Sequence, residues 1–148
     1  MTKVSYGERR QYALGDALDS VMNYPLRDGL VTFLTGRSTA HALADLLLSQ
    51  RLNYPRPLYY ALMNLTASHD VARTRSALAL DFDPRSRTRA ELAALEITDA
   101  MAARGAQLQV LAAAVQFWLP GIPSIYYGDE TGMQGLCDPF NRAPLQMC

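Results

Sequence analysis

The chain is poor in several features that would assign it to a large class. It has only two cysteines in 148 residues, Cys137 and Cys148. That excludes a disulfide framework, and no Cys/His spacing suits a metal. Two unrelated thiols fit a reduced compartment, so the expected setting is the cytoplasm. Lys3 is the only lysine among 14 basic residues, and 14 acidic ones bring the formal net charge to zero. A balanced chain gives no reason to bind nucleic acid or an acidic membrane surface. No apolar run approaches the roughly 18 residues of a membrane helix, and Met1-Thr2-Lys3-Val4 is not followed by the apolar core of a signal peptide. Phosphate-binding GxxxxGK[ST], dinucleotide-binding GxGxxG and nucleophile-elbow GxSxG motifs are absent, as are repeats and low-complexity segments. No cofactor and no metal is expected.

What is present is 49% hydrophobic and 19% charged residues, enough to bury the core of one domain over 1–148. Ser5 to Tyr12 is polar and reads as loop, with a short helix at most. Val21, Met22 and Tyr24 suit a short buried strand that Pro25 stops. Helices follow over Leu26–Leu34 and, with one apolar side, over about Thr39–Gln50. The second half of Leu58–Thr66 reads as a buried strand, with Ala67-Ser68-His69-Asp70 as its polar exit. Val71–Leu80 is expected as helix. Thr88-Arg89-Ala90-Glu91 matches a capping box opening a helix to about Glu96. Gly105 precedes Ala106–Leu119, apolar nearly all round and therefore expected to be buried. Ser124–Tyr127 is a third short strand, and Thr131–Cys148 reads as loop.

Alternating strands and helices predict an α/β fold of parallel units. Parallel strands end on one rim, which would gather Tyr24, His69-Asp70 and Asp129-Glu130 on the edge where such folds bind ligands. Asp70 there can serve as a nucleophile, a base, or a charge that steadies a developing cation. Alternatively it caps the helix after it, with His69 packed beside it. Asp129-Glu130 could meet a metal or sugar hydroxyls, or could be a cap paired with an arginine. Asp138-Pro139-Phe140-Asn141-Arg142 sets an acid and an arginine near an aromatic, as a sugar-binding tip or an ordinary surface loop. His41 reads as a solvent-facing residue, and Arg85, Arg87 and Arg89 as a solvated helix start.

Asn64-Leu65-Thr66-Ala67-Ser68-His69-Asp70-Val71-Ala72-Arg73 resembles the strand-7 motif of the α-amylase family. Leu119 to Met133, through Pro-Gly-Ile-Pro-Ser-Ile-Tyr-Tyr-Gly-Asp-Glu, resembles its strand-8 motif. Asp19-Ser20-Val21-Met22-Asn23-Tyr24-Pro25 looks like strand 6 of the neopullulanase and cyclomaltodextrinase branch. The resemblance implies a partial (β/α)8 TIM barrel covering strands 6–8 with their helices. It implies a retaining hydrolase of α-glucans or maltooligosaccharides. By resemblance Asp70 is the transition-state-stabilising carboxylate and His69 a substrate hydrogen-bonding residue. Asp138 and Arg142 hold a neighbouring glucose, Tyr24 is an aromatic near the cleavage point, and Asp129-Glu130 is a structural rim anchor.

Two departures accompany the match. Ala67 and Val71 stand where the motif usually has Gly and Thr, and Val71 has no side-chain group to cap a following helix. The nucleophile Asp and acid/base Glu belong after strands 4 and 5, and neither motif occurs here; Glu8 lacks its context. Retaining hydrolysis needs two carboxyls about 5–5.5 Å apart, so the chain alone is expected to be inactive. Three parallel strands leave open edges, so self-association or pairing with the missing barrel portion is expected. The alternative is a stand-alone, non-catalytic sugar-binding or assembly module.

Overall fold

The computed structural model describes residues 18–145. The polar stretch 5–12, Glu8 and Cys148 lie outside them. Three extended segments run in parallel. Met22 bridges Met63 in parallel, with Asn23 N–H donating to Met63 O at 2.8 Å and Met63 N–H to Val21 O at 3.1 Å. β1 (Met63–Leu65) pairs in parallel with β2 (Ile122–Ser124), Met63 facing Ile122. The architecture is α/β, with β1 flanked by the segment around Met22 on one side and β2 on the other.

Helices connect these segments. Tyr24 does not end a strand; it is the first residue of α1 (Tyr24–Leu34), because Asn23 caps the helix through Leu26 N–H at 3.3 Å and Pro25 suits a first turn. α2 (Ala40–Asn53) is capped by Thr39, and the short α3 (Arg56–Ala61) leads into β1. The helix expected from Val71 is shorter: α4 spans Thr74–Ala79. Val71 is instead buried in the turn before it, its N–H donating to Ser68 O. The capping box at Thr88 and Glu91 forms as expected and opens α5 (Arg89–Ala93).

The long helix departs most from expectation. α6 (Asp99–Trp118) starts seven residues before Ala106 and contains Gly105. A side chain at Gly105 would run into the Arg75 carbonyl, so glycine lets α6 approach α4 closely. The helix is not buried all round. Its inner face is small or polar, with Gly105, Ala112 and Gln116 buried, while Val110 is 70% and Trp118 90% exposed. Close contact with α4 selects small inward residues, which turns the bulk outward.

Leu30, Val31, Ala77, Leu78 and Ala112 form one core between α1, α4 and α6. Each fully buried leucine contributes about 1.5–3 kcal/mol. Beneath the sheet lies a polar seam that apolar patterning does not anticipate. Asn23 Nδ2 donates to Asn64 Oδ1 at 2.9 Å, Gln50 Nε2 donates to Asn23 Oδ1, and Asn64 Nδ2 donates to Pro120 O at 3.0 Å. Asn64 is fully buried at the middle of β1, so these amides tie all three extended segments together.

Candidate functional site

Because the segments are parallel, everything that follows each of them emerges on one rim. There the chain brings together residues more than forty positions apart. The Tyr24 hydroxyl lies 2.9 Å from Ser68 Oγ and 3.3 Å from Asp70 Oδ2. Ser68 Oγ also accepts the Asp70 backbone N–H at 3.1 Å. An ionised carboxylate only accepts, so Tyr24 donates to Asp70 and Ser68 donates to Tyr24. The other carboxylate oxygen, Oδ1, lies 3.4 Å from His69 Nε2. Burial, with the adjacent Asp70 charge, holds the Tyr24 phenol above its usual value, so it stays a donor at neutral pH. Asp70 and His69 remain open to solvent, with side chains 31% and 54% exposed. The result is a fixed, accessible carboxylate flanked by an imidazole and a phenol.

Asp129 plays a different part from Asp70. It is buried, accepts from Thr74 Oγ1 at 2.5 Å and Thr74 N–H at 3.3 Å, and lies 3.5 Å from Arg73 Nη1. A carboxylate from the loop after β2 therefore caps the first turn of α4, the service that Val71 cannot provide. Burial outweighs these bonds and raises the Asp129 carboxyl above the ordinary aspartate value. Glu130 is exposed, so the adjacent acids point apart. Of the two readings of Asp129, the arginine-paired cap matches the contacts. Arg73 itself is 0% exposed, its guanidinium 4.8 Å and 4.7 Å from the ring centroids of Tyr126 and Tyr127.

The loop with Asp138 and Arg142 is tied to the same rim. Arg142 Nε donates to Asp138 Oδ1 at 2.7 Å, and both side chains stay half-exposed. Arg89 reaches Asp138 Oδ2 at 3.6 Å. Between them Asn141 is fully buried, its Nδ2 donating to Ser68 O at 3.1 Å and Val71 O at 2.8 Å. His41 lies apart, 88% exposed and 3.6 Å from Asp45. Arg87 pairs with Glu91 at the exposed start of α5, as expected, whereas Arg85 sits in the turn before it and is held to Asp83 and, from 57 positions away, to Asp28 on α1. Among the described residues no cluster of His, Cys, Asp and Glu could hold a metal, and no helix is long and apolar enough to cross a membrane.

The chain is similar to known proteins over most of its length. The chain is 36% identical over 143 residues to an amylopullulanase of Thermoanaerobacter thermohydrosulfuricus, covering 87% of this chain and 9% of that protein. It is 34% identical over 129 residues to a cyclomaltodextrinase of Thermoanaerobacter pseudethanolicus, covering 86% and 18%. Among solved structures, the cyclic α-maltosyl-(1→6)-maltose hydrolase of Arthrobacter globiformis, in complex with cyclic α-maltosyl-(1→6)-maltose, matches with a TM-score of 0.71 and 30% identity. That match covers 93% of this chain and 26% of the other. The chain belongs to the α-amylase family. No protein-family model matches it.

The chain thus spans 9% and 18% of the length of these two curated family relatives. Within that span, sequence reasoning missed the residues that assemble the rim. Ser68 sits directly before His69-Asp70, and its hydroxyl was the available signal. Asn141 sits inside the Asp138–Arg142 motif but was read only as part of a loop. Arg73 lies at the end of the strand-7 motif with nothing local to mark it as buried.

Proposed function

We infer that the chain is a portion of a retaining α-glucan hydrolase, carrying strands 6–8 of an eight-stranded barrel with their helices over residues 1–148. In this reading Asp70 steadies the cation-like sugar ring at the cleavage point, and His69 and Tyr24 contact that sugar. Asp138 and Arg142 hold a neighbouring glucose. The observation that carries it is the meeting of three distant segments on one rim, with Tyr24 donating to Asp70 and Asn141 bonded on either side of His69-Asp70. Exposed acceptors and donors beside an aromatic ring suit sugar hydroxyls, which both give and take hydrogen bonds. Family relatives named for pullulan, cyclomaltodextrin and cyclic maltosyl-maltose support an α-glucan as the ligand class.

The test is a maltotriose titration of the chain followed by NMR or calorimetry. Wild-type protein binds, and Asp70→Asn weakens binding about tenfold or more, the usual size of a lost charge-assisted hydrogen bond. Equal affinity in the two proteins removes Asp70 from the site. No binding by the wild type removes the sugar-site reading.

The same reading leaves surfaces uncovered. Ile122 and Ile125, in and just after β2, are 55% and 54% exposed, and Trp118 at the end of α6 is 90% exposed. An open parallel edge next to apolar side chains favours pairing with another chain. Sedimentation of the 16.4 kDa chain is expected to show species heavier than a monomer. A single monomeric boundary across concentrations contradicts self-association.

A further inference from the structure

Asn141 occupies a place that neither the motif nor the family likeness assigns. It lies in the short turn Phe140–Arg142, between Asp138 and Arg142, and is fully buried. Its one amide nitrogen carries two N–H donors. One goes to Ser68 O at 3.1 Å and the other to Val71 O at 2.8 Å. Those two carbonyls belong to the residues immediately before and after His69-Asp70. The amide therefore spans the two residues that face solvent and fixes the backbone on both sides of them. In sequence, the arginine of the second half of the site, Arg142, follows it directly, and the acid, Asp138, lies three residues before it. Packing is tight as well: a side chain at Gly135 would sit 2.9 Å from Asn141 Cα, so the loop cannot shift inward.

We propose that Asn141 is a positioning residue that locks the Asp138–Arg142 loop to the His69-Asp70 turn, so that the two halves grip one sugar chain as a unit. Asn141 itself touches no sugar. The proposal rests on the sugar-site reading above for its ligand, but the lock itself stands on the hydrogen bonds alone. Two donors on one rigid amide are what the geometry uses. Leucine has the same size and none of them, serine is smaller with one, and aspartate has none and would set a negative charge against two carbonyl oxygens.

The experiment is a double-mutant cycle read by maltotriose affinity, with amide hydrogen exchange on the same proteins. In the wild-type background Arg142→Ala is expected to weaken maltotriose about tenfold. In the Asn141→Leu background the same change is expected to cost less than about twofold, because the arginine is no longer presented together with Asp70. Asn141→Ser serves as the second variant where the leucine protein does not fold. A residue that only stabilises the fold would leave the Arg142→Ala factor unchanged in the folded protein, and that result overturns the proposal. Exchange separates its failure from failure of the sugar reading. Faster exchange in both loops, 68–71 and 138–142, with β1 unchanged, establishes the lock even where maltotriose binds neither protein. Unchanged exchange in both loops rejects it.

Discussion

Arg73→Ala is expected to lower stability by about 3–5 kcal/mol, the cost of breaking a buried charge pair. That is a large share of the roughly 5–15 kcal/mol that holds a domain together. The side chain has no exposure, pairs with Asp129, donates to the Tyr127 carbonyl, and stacks against two tyrosine rings. Its removal uncouples the turn after β1 from the loop after β2, opens a void against the Tyr126–Tyr127 ring pair, and leaves Asp129 buried without its counter-charge. Arg73→Lys is not expected to rescue it, because an ammonium lacks the planar face that stacks on the two rings here. The midpoint of urea unfolding measures the effect.

The cost carries a pH signature. Burial already raises the Asp129 carboxyl, and loss of the opposite charge raises it further. A carboxyl raised in the folded state contributes stability in its protonated form, and that contribution falls as pH rises through its folded value. The penalty of Arg73→Ala is therefore smallest at low pH, where Asp129 is protonated in both proteins, and grows towards neutrality. A penalty below about 1 kcal/mol, the size of an exposed ion pair, or one that does not change with pH, contradicts the role given to this pair.

The other large effect is on turnover. Incubated with pullulan, cyclodextrin or maltotriose, the 148-residue chain is expected to release no reducing ends above buffer. Retaining hydrolysis needs a nucleophile and an acid/base about 5–5.5 Å apart across the scissile bond. Among the described residues the Asp70 carboxylate meets a phenol and an imidazole and no second carboxylate. Members of such a site act as a unit, and losing one commonly removes about 10⁴–10⁶ of the rate. In the proposed reading of Asp70 as a steadying charge, nothing here attacks the sugar, so the reaction is not carried. Release of reducing ends in proportion to protein, abolished in Asp70→Asn, would overturn this expectation and require a nucleophile elsewhere in the chain.

Local sequence carried a good deal of this. The Thr88–Glu91 box, the Thr39 cap and the Asn23 cap before Pro25 all form because their hydrogen bonds join residues three apart. The Tyr24, His69-Asp70 and Asp138–Arg142 patches were identifiable because each is a short contiguous motif. The meeting of Tyr24 with His69-Asp70 followed from one topological inference, since parallel segments end on one side; the Asp138–Arg142 loop joins them through the buried Asn141 amide, which that inference did not place there. Residues whose partners are distant were misread. Val71 was expected to start a helix that begins at Thr74, because the cap comes from Asp129 across the sheet. The apolar α6 was expected to be buried throughout, but only its small face meets α4.

From residue order alone came the kind of fold and the motifs that meet on the rim, since strand, turn and cap preferences act over a few residues. Only the folded chain decided which groups hold those motifs in place. Arg73 gains its counter-charge and ring stack, Asn141 its two carbonyls and Asn64 the partners of its side chain from segments forty or more residues away. Hydrophobic pattern cannot foretell such contacts, because burial of a polar group is stable only when a partner arrives from elsewhere in the chain.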